Sequence, residues 1–209
     1  MFTLGKMMKK LLMTTVMCLG LGLVIPAIAT GNASAGKSKS AVCAACHGVD
    51  GNSPSDMFPK LAGQGEAYLV KQLHEFKSGI RKNAVMAPMV AALTDQDMVD
   101  LAAYFSANKR TPGAVPKELV EAGRKLFRAG NKESGVPACM ACHGPTGAGV
   151  PAAKWPALSG QHSAYVEAQL KSFAAGTRSN DPNSMMRDIA GRLKEKEIKA
   201  VAAYVSGLH

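Results

Sequence analysis

The chain repeats itself, and the repeat constrains the fold more than any other feature. Cys43-Ala44-Ala45-Cys46-His47-Gly48 returns as Cys139-Met140-Ala141-Cys142-His143-Gly144, 96 residues later. Leu61 to Asn83 returns as Leu158 to Asn180 at a shift of 97, with 11 of 23 positions identical. Leu93 to Lys109 returns as Leu193 to His209 at a shift of 100, sharing Ala102-Ala103-Tyr104 with Ala202-Ala203-Tyr204. Three blocks in the same order, with small insertions between them, describe a duplicated domain. Residues 107–117 carry two prolines and one glycine between the copies and read as the linker. The expected division is residues 30–108, a linker at 109–116, and residues 117–209.

The first 29 residues read as an export signal. Lys6, Lys9 and Lys10 precede an apolar stretch from Leu11 to Ile28, and Ala27-Ile28-Ala29 supplies the small residues of a cleavage site. A membrane anchor is the alternative, against which Gly20, Gly22, Pro26 and the small-residue exit argue. Cys18 lies inside the stretch and leaves with it. A mature chain starting near Thr30 keeps four cysteines in an export compartment.

The whole chain carries +10, and without the three leader lysines 22 basic groups face 15 acidic ones, or +7. Residues 30–110 balance at +2 and residues 111–209 at +5. The basic residues alternate with acidic ones, as Glu195 and Glu197 do between Arg192 and Lys199. That pattern is a solvated helix surface rather than a nucleic-acid footprint. Apolar residues make up 47% and aromatics only 5%, thin for a core built from side chains alone.

Each copy reads as helical. Tyr68, Leu69, Leu73 and Phe76 recur at helical spacing from Glu66 to Ser78, where Gly79 stops the run. Thr94 with Asp97 forms a capping pair for a helix through Ala107, whereas its counterpart starts at Lys194, a poorer cap. A further helix is expected from about Pro116 to Ala129. No segment alternates as a strand would, so the class is all-α.

Cys-x-x-Cys-His is the attachment motif for c-type haem. Two thiols three residues apart on one helical turn face the same way, so Cys43 and Cys46, and Cys139 and Cys142, can each form thioethers with one macrocycle. His47 and His143 are then held beneath the iron as axial ligands, and Gly48 and Gly144 let the backbone pass close by. A redox disulfide would leave both histidines idle and lacks a preceding strand. Zinc would find Cys₂His one ligand short in each copy. Two haem c groups also account for the scarcity of aromatics, since a planar apolar group fills each small core.

A carrier usually takes methionine as its second axial ligand, because a soft thioether raises the potential. Met57, Met98 and Met140 read as core filler. Met86 lies seven residues before Leu93, and Met186 seven before Leu193, so these two correspond. Met89 maps to Ile189 and Met185 to Val85, although Met185 stays adjacent to the chosen ligand.

With these motifs in place, the chain resembles the dihaem cytochrome c4 family, two tandem class I cytochrome c domains, from Gly31 to His209. The resemblance rests on both Cys-x-x-Cys-His motifs, Phe58 to Gln64, Met86-Ala87-Pro88-Met89, Asp95-Gln96-Asp97, Leu158 to His162, Met185-Met186-Arg187 and the ending Tyr204 to His209. It implies the ligand pairs His47/Met86 and His143/Met186 and a periplasmic electron carrier, not an enzyme. It further implies passage of electrons from a quinol-oxidising bc1-type complex toward a terminal oxidase, with peripheral association at the inner membrane. The expected particle is a monomer. A dihaem subunit of a flavocytochrome dehydrogenase, for instance a sulfide-oxidising one, is the alternative. A dihaem peroxidase is a third reading, disfavoured because each half supplies its own methionine.

Overall fold

The computed structural model describes residues 30–209, so the expected leader and Cys18 lie outside the described residues. In the first half α1 (Ala33–Lys39) and α2 (Ala41–His47) are followed by α3 (Glu66–Lys77), α4 (Met86–Val90) and α5 (Asp95–Ala107). The second half contains α6 (Lys117–Ala129), α7 (Met140–His143), α8 (Ser163–Ala174), α9 (Met185–Ala190) and α10 (Glu195–Ser206). Among the described residues no strand forms beyond the isolated bridges Asn131–Val136 and Val150–Trp155. No helix among them is long and apolar enough to cross a membrane.

Each half is closed by its first helix crossing its last, α1 on α5 and α6 on α10. The crossings are tight because a glycine sits at each contact: a Cβ on Gly36 would lie 2.0 Å from the Asp100 carbonyl oxygen, and one on Gly123 would lie 2.4 Å from that of Ala200. Such backbone approach leaves no room for a side chain. Thr94 caps α5 reciprocally with Asp97, as the sequence suggests. At α10 the Glu197 carboxylate accepts from the Lys194 N–H at 2.8 Å, but an ammonium offers no acceptor in return, so this cap is half made. The Asp100 carboxylate, buried in the first crossing, accepts from Lys39 Nζ at 2.8 Å and the Asn32 N–H at 2.9 Å.

The cores are small. Leu69, Leu101, Ala102 and Phe105 form one, and Leu126, Phe127, Val136, Val166, Val201, Ala202 and Val205 form the other. Met98 is fully buried, and Met140 packs against the second core. Met57 is not core filler: it is 77% exposed, because it occupies a turn before Phe58 rather than a helix face turned inward.

The halves meet around a pseudo-twofold axis. Gln64 Nε2 donates to the Ala157 carbonyl at 3.0 Å, and its Oε1 accepts from the Ala157 N–H at 2.7 Å. Gln161 repeats this on Lys60, donating to its carbonyl at 2.9 Å and accepting from its N–H at 2.8 Å. Both pairs are related by the 97-residue shift, so the interface is self-complementary in the manner of a symmetric dimer. The 109–116 segment is seated on it: Arg110 donates to the carbonyls of Ala62, Ala157 and Ser159, and Thr111 accepts from buried Lys60 Nζ at 2.6 Å through its carbonyl.

Candidate haem-binding site

In the first half α2 carries both cysteines and ends at His47; in the second α7 carries Cys142 and ends at His143, with Cys139 capping its start. Gly48 and Gly144 follow at φ +79° and +81°, a left-handed turn that favours glycine and swings the chain away. A Cβ on Gly48 would also come within 2.5 Å of the Asn52 carbonyl oxygen. The histidines are buried and held alike, with Nδ1 of His47 2.8 Å from the Pro59 carbonyl and Nδ1 of His143 2.9 Å from that of Pro156. A carbonyl can only accept, so Nδ1 carries the proton and Nε2 keeps a free lone pair. Burial pushes both imidazoles below their ordinary pKa, only partly countered by these hydrogen bonds, and so keeps them neutral. Burial likewise raises the Cys43 thiol, and raises that of Cys139 to about 11.

Both motifs open onto one continuous cavity of about 940 Å³ that passes through the two halves. Cys43, Cys46, His47, Cys139, Cys142 and His143 line it, together with Met86, Met89, Met185 and Met186. Met86 and both second-half methionines are half-buried, whereas Met89 is 51% exposed. The rest of the wall is largely apolar, with Leu69, Phe76, Leu101, Phe105, Val166, Phe173, Val201 and Val205. Two thiols, a lone-pair nitrogen and a thioether on an apolar slot, twice over, form a donor set that fits two haem c groups. No group of three or more His, Cys, Asp or Glu among the described residues could hold a bare metal ion.

Polar groups enter this cavity where the halves meet, and none of them belongs to the motifs that mark the site in the sequence. Arg81 donates to Gln72 Oε1 at 2.7 Å within its own half, then crosses to Tyr165 Oη at 3.0 Å and Gln169 Oε1 at 3.1 Å. Arg178 mirrors it, donating to Gln169 at 2.8 Å and crossing to Tyr68 Oη at 3.1 Å and Gln72 at 3.3 Å. Each guanidinium also lies over the phenylalanine in the last turn of the helix before it, Arg81 over Phe76 at 4.6 Å and Arg178 over Phe173 at 4.4 Å. Burial disfavours ionisation of Tyr68, but the guanidiniums of Arg178 and Arg81 outweigh it and lower its pKa. The signal for this cluster lay in the repeat: Gln64, Tyr68, Gln72, Arg81 and Asn83 are the polar members of the 11 identities.

The family model for cytochrome c matches residues 33–109 and 120–209. The chain is 49% identical over 204 residues to a cytochrome c4 of Pseudomonas aeruginosa, covering 97% of this chain and all of that one. It is 40% identical to a thiosulfate dehydrogenase electron acceptor of Thiomonas intermedia, over 83% of this chain and 81% of the relative. The crystal structure of reduced recombinant cytochrome c4 from Pseudomonas stutzeri superposes with a TM-score of 0.84 at 48% identity, covering 86% of this chain and all of the other. The chain belongs to the dihaem cytochrome c4 family, electron-transfer proteins rather than enzymes, with two tandem cytochrome c domains and a covalent haem c in each.

Proposed function

We propose that this protein is a periplasmic shuttle carrying single electrons between redox partner proteins, from a quinol-oxidising bc1-type complex toward a terminal oxidase. The observation that carries this reading is the doubled histidine site: two buried neutral imidazoles, pinned alike to Pro59 and Pro156, facing one shared cavity. Haem c supplies a one-electron ferric/ferrous couple when bound. Cys43 and Cys46 would hold one haem by thioethers and Cys139 and Cys142 the other. His47 with Met86, and His143 with Met186, would ligate the two irons. With two protein ligands on each iron no position would be left for bond-making chemistry, which suits a carrier. The crossed pairs Arg81–Tyr165 and Arg178–Tyr68 put guanidinium donors in the wall of the cavity, which would pair with haem carboxylates. In this reading residues 1–29 direct export, residues 30–108 and 117–209 are the two domains, and 109–116 joins them. The protein acts as a monomer associated peripherally with the inner membrane.

A second donor is supported by one observation, the 40% identity to a thiosulfate dehydrogenase electron acceptor. The same carrier would then take electrons from a sulfur-compound dehydrogenase. The purified, reduced protein should be monomeric and re-oxidised by membranes under oxygen, and its ferric form should be reduced by quinol only when the bc1-type complex is present. Rapid reduction by a thiosulfate dehydrogenase, with none through the bc1-type complex, would replace the first donor by the second. Copurification with a flavoprotein would instead make it a dehydrogenase subunit.

A further inference from the structure

The two methionine loops correspond in sequence and are anchored very differently. In the first half Asn83 is exposed, and its Oδ1 accepts only from the N–H groups of Val85 at 3.0 Å and Met86 at 2.9 Å, within its own loop. Residues 82–85 and 87–89 are all exposed. Its counterpart Asn180 is buried, and Nδ2 donates across the interface to Gln72 at 3.0 Å and to Glu75 at 2.7 Å. Lys71 Nζ reaches the Asn180 carbonyl at 2.8 Å while pairing with Glu75 at 2.6 Å. Asp181, also buried, accepts from the Arg187 N–H at 3.0 Å and from Arg187 Nε at 2.8 Å, tying the loop to α9. The first half therefore clamps the second half's methionine loop, and the second half cannot return the clamp. At the shift of 97, Lys71 corresponds to Ala168 and Glu75 to Ser172, neither of which can reach Asn83 with a charge.

Asn183 and Ser184 lie at φ +53° and +59° between these anchors, a left-handed region that asparagine tolerates and serine adopts rarely. A ligand that binds after a loop opens has its affinity reduced by the fraction of time the loop is open. Fewer anchors mean more opening.

We infer that the N-terminal haem iron is a binding site for small neutral lone-pair donors, which displace Met86, while Met186 resists the same ligands. The exchange moves no electrons: the thioether sulfur leaves with its lone pair and the incoming nitrogen supplies another. The inference rests on the His/Met ligand reading, and the experiment separates the two. Ferric holoprotein is titrated with imidazole at about pH 8, where the base is mostly neutral, and the methionine–iron charge-transfer band is followed. Before any ligand is added the band must have the amplitude of two methionine-ligated haems, and Met86→Ala and Met186→Ala must each halve it. Failure there overturns the ligand reading itself. Given that amplitude, half the band should vanish at an imidazole concentration about tenfold or more below that needed for the other half, the worth of one net hydrogen bond in opening. The early half should be absent in Met86→Ala. The double variant Lys71→Ala/Glu75→Ser, which gives the first repeat the residues of the second, should bring the late half about tenfold earlier. Asp181→Ala cuts an independent anchor and should move it the same way. A single phase in the parent, an early phase that survives Met86→Ala, or a late phase unmoved by both anchor variants would overturn the inference.

Discussion

In the glutamine, tyrosine and arginine pairs of the interface the two halves are interchangeable, and around their closing helices and methionine loops they are not. Gln64 and Gln161, Tyr68 and Tyr165, and Arg81 and Arg178 make matching bonds to each other's half, as expected when two copies of one surface face each other. The Lys39–Asp100 pair, the full cap at Thr94 and the Lys71–Glu75 clamp belong to the first half alone. Duplication supplied a symmetric contact, and later substitutions on single copies gave each haem different surroundings.

The largest expected effect tests what the halves share. Gly36→Leu and Gly123→Leu each force a side chain into a backbone contact shorter than any atom pair tolerates. Each should cost more than about 3 kcal/mol and melt its own half first. Thermal unfolding followed by circular dichroism and by the haem spectrum should show the affected half leaving early. A variant melting like the parent would contradict the close crossing.

Next in size are the paired glutamines. Gln64→Ala strips the partner from the N–H of Ala157 and leaves its carbonyl only the 3.3 Å bond from Arg110, and Gln161→Ala strips the partners from the N–H and carbonyl of Lys60. Leaving such buried groups unpaired costs about 1–3 kcal/mol, so both variants should lose similar stability in denaturant titrations. A clearly unequal pair would break the symmetry argument.

Much of this molecule was legible in the sequence. The repeat gave two helical halves, Gly79 ended α3, and Thr94 with Asp97 capped α5, because those signals are local. The interface was not legible, although its residues were in hand. Identity between copies says that Tyr68 and Arg81 have equivalent surroundings, but not that Arg81 finds its tyrosine in the other copy. Met57 was misplaced for a related reason: its residue type suggests a core, while its turn points it outward. The role of Arg110 in the 109–116 segment was not legible either, since proline and glycine mark a loop without showing where it lies.

Acid should separate the halves. The Asp100 carboxyl is pushed down to about 2, first by the Lys39 hydrogen bond, then by the Asn32 N–H and the Gln96 amide. A carboxyl with a depressed pKa stabilises the fold above the ordinary carboxylate range, and that contribution is lost as the pH falls from about 4 toward 2. Ala200 stands at the corresponding place, so the second half has nothing to lose there. Asp100→Asn should lower the melting temperature by several degrees at neutral pH, and the difference from the parent should close near pH 2. A difference that persists in acid would mean packing, not charge, is at stake.

The smallest expected effect is in the potentials. Positive surroundings favour reduced iron, and the second half carries +5 against +2, so its haem should have the higher potential. Most of these charges are in solvent and screened beyond about 8–10 Å, which limits the offset to tens of millivolts and shrinks it in salt. Met86→His and Met186→His each lower one centre, so potentiometric titration of both variants identifies each haem. A higher N-terminal potential would show that burial outweighs net charge.

The central claim is that each half holds its iron between its own histidine and the methionine that the repeat pairs across copies. The charge-transfer band of the ferric protein tests it directly in four single variants. Met86→Ala and Met186→Ala should each remove half the band, while Met89→Ala and Met185→Ala leave it whole. A band halved by Met185→Ala and spared by Met186→Ala would contradict the pairing in the second half, and one halved by Met89→Ala would contradict it in the first.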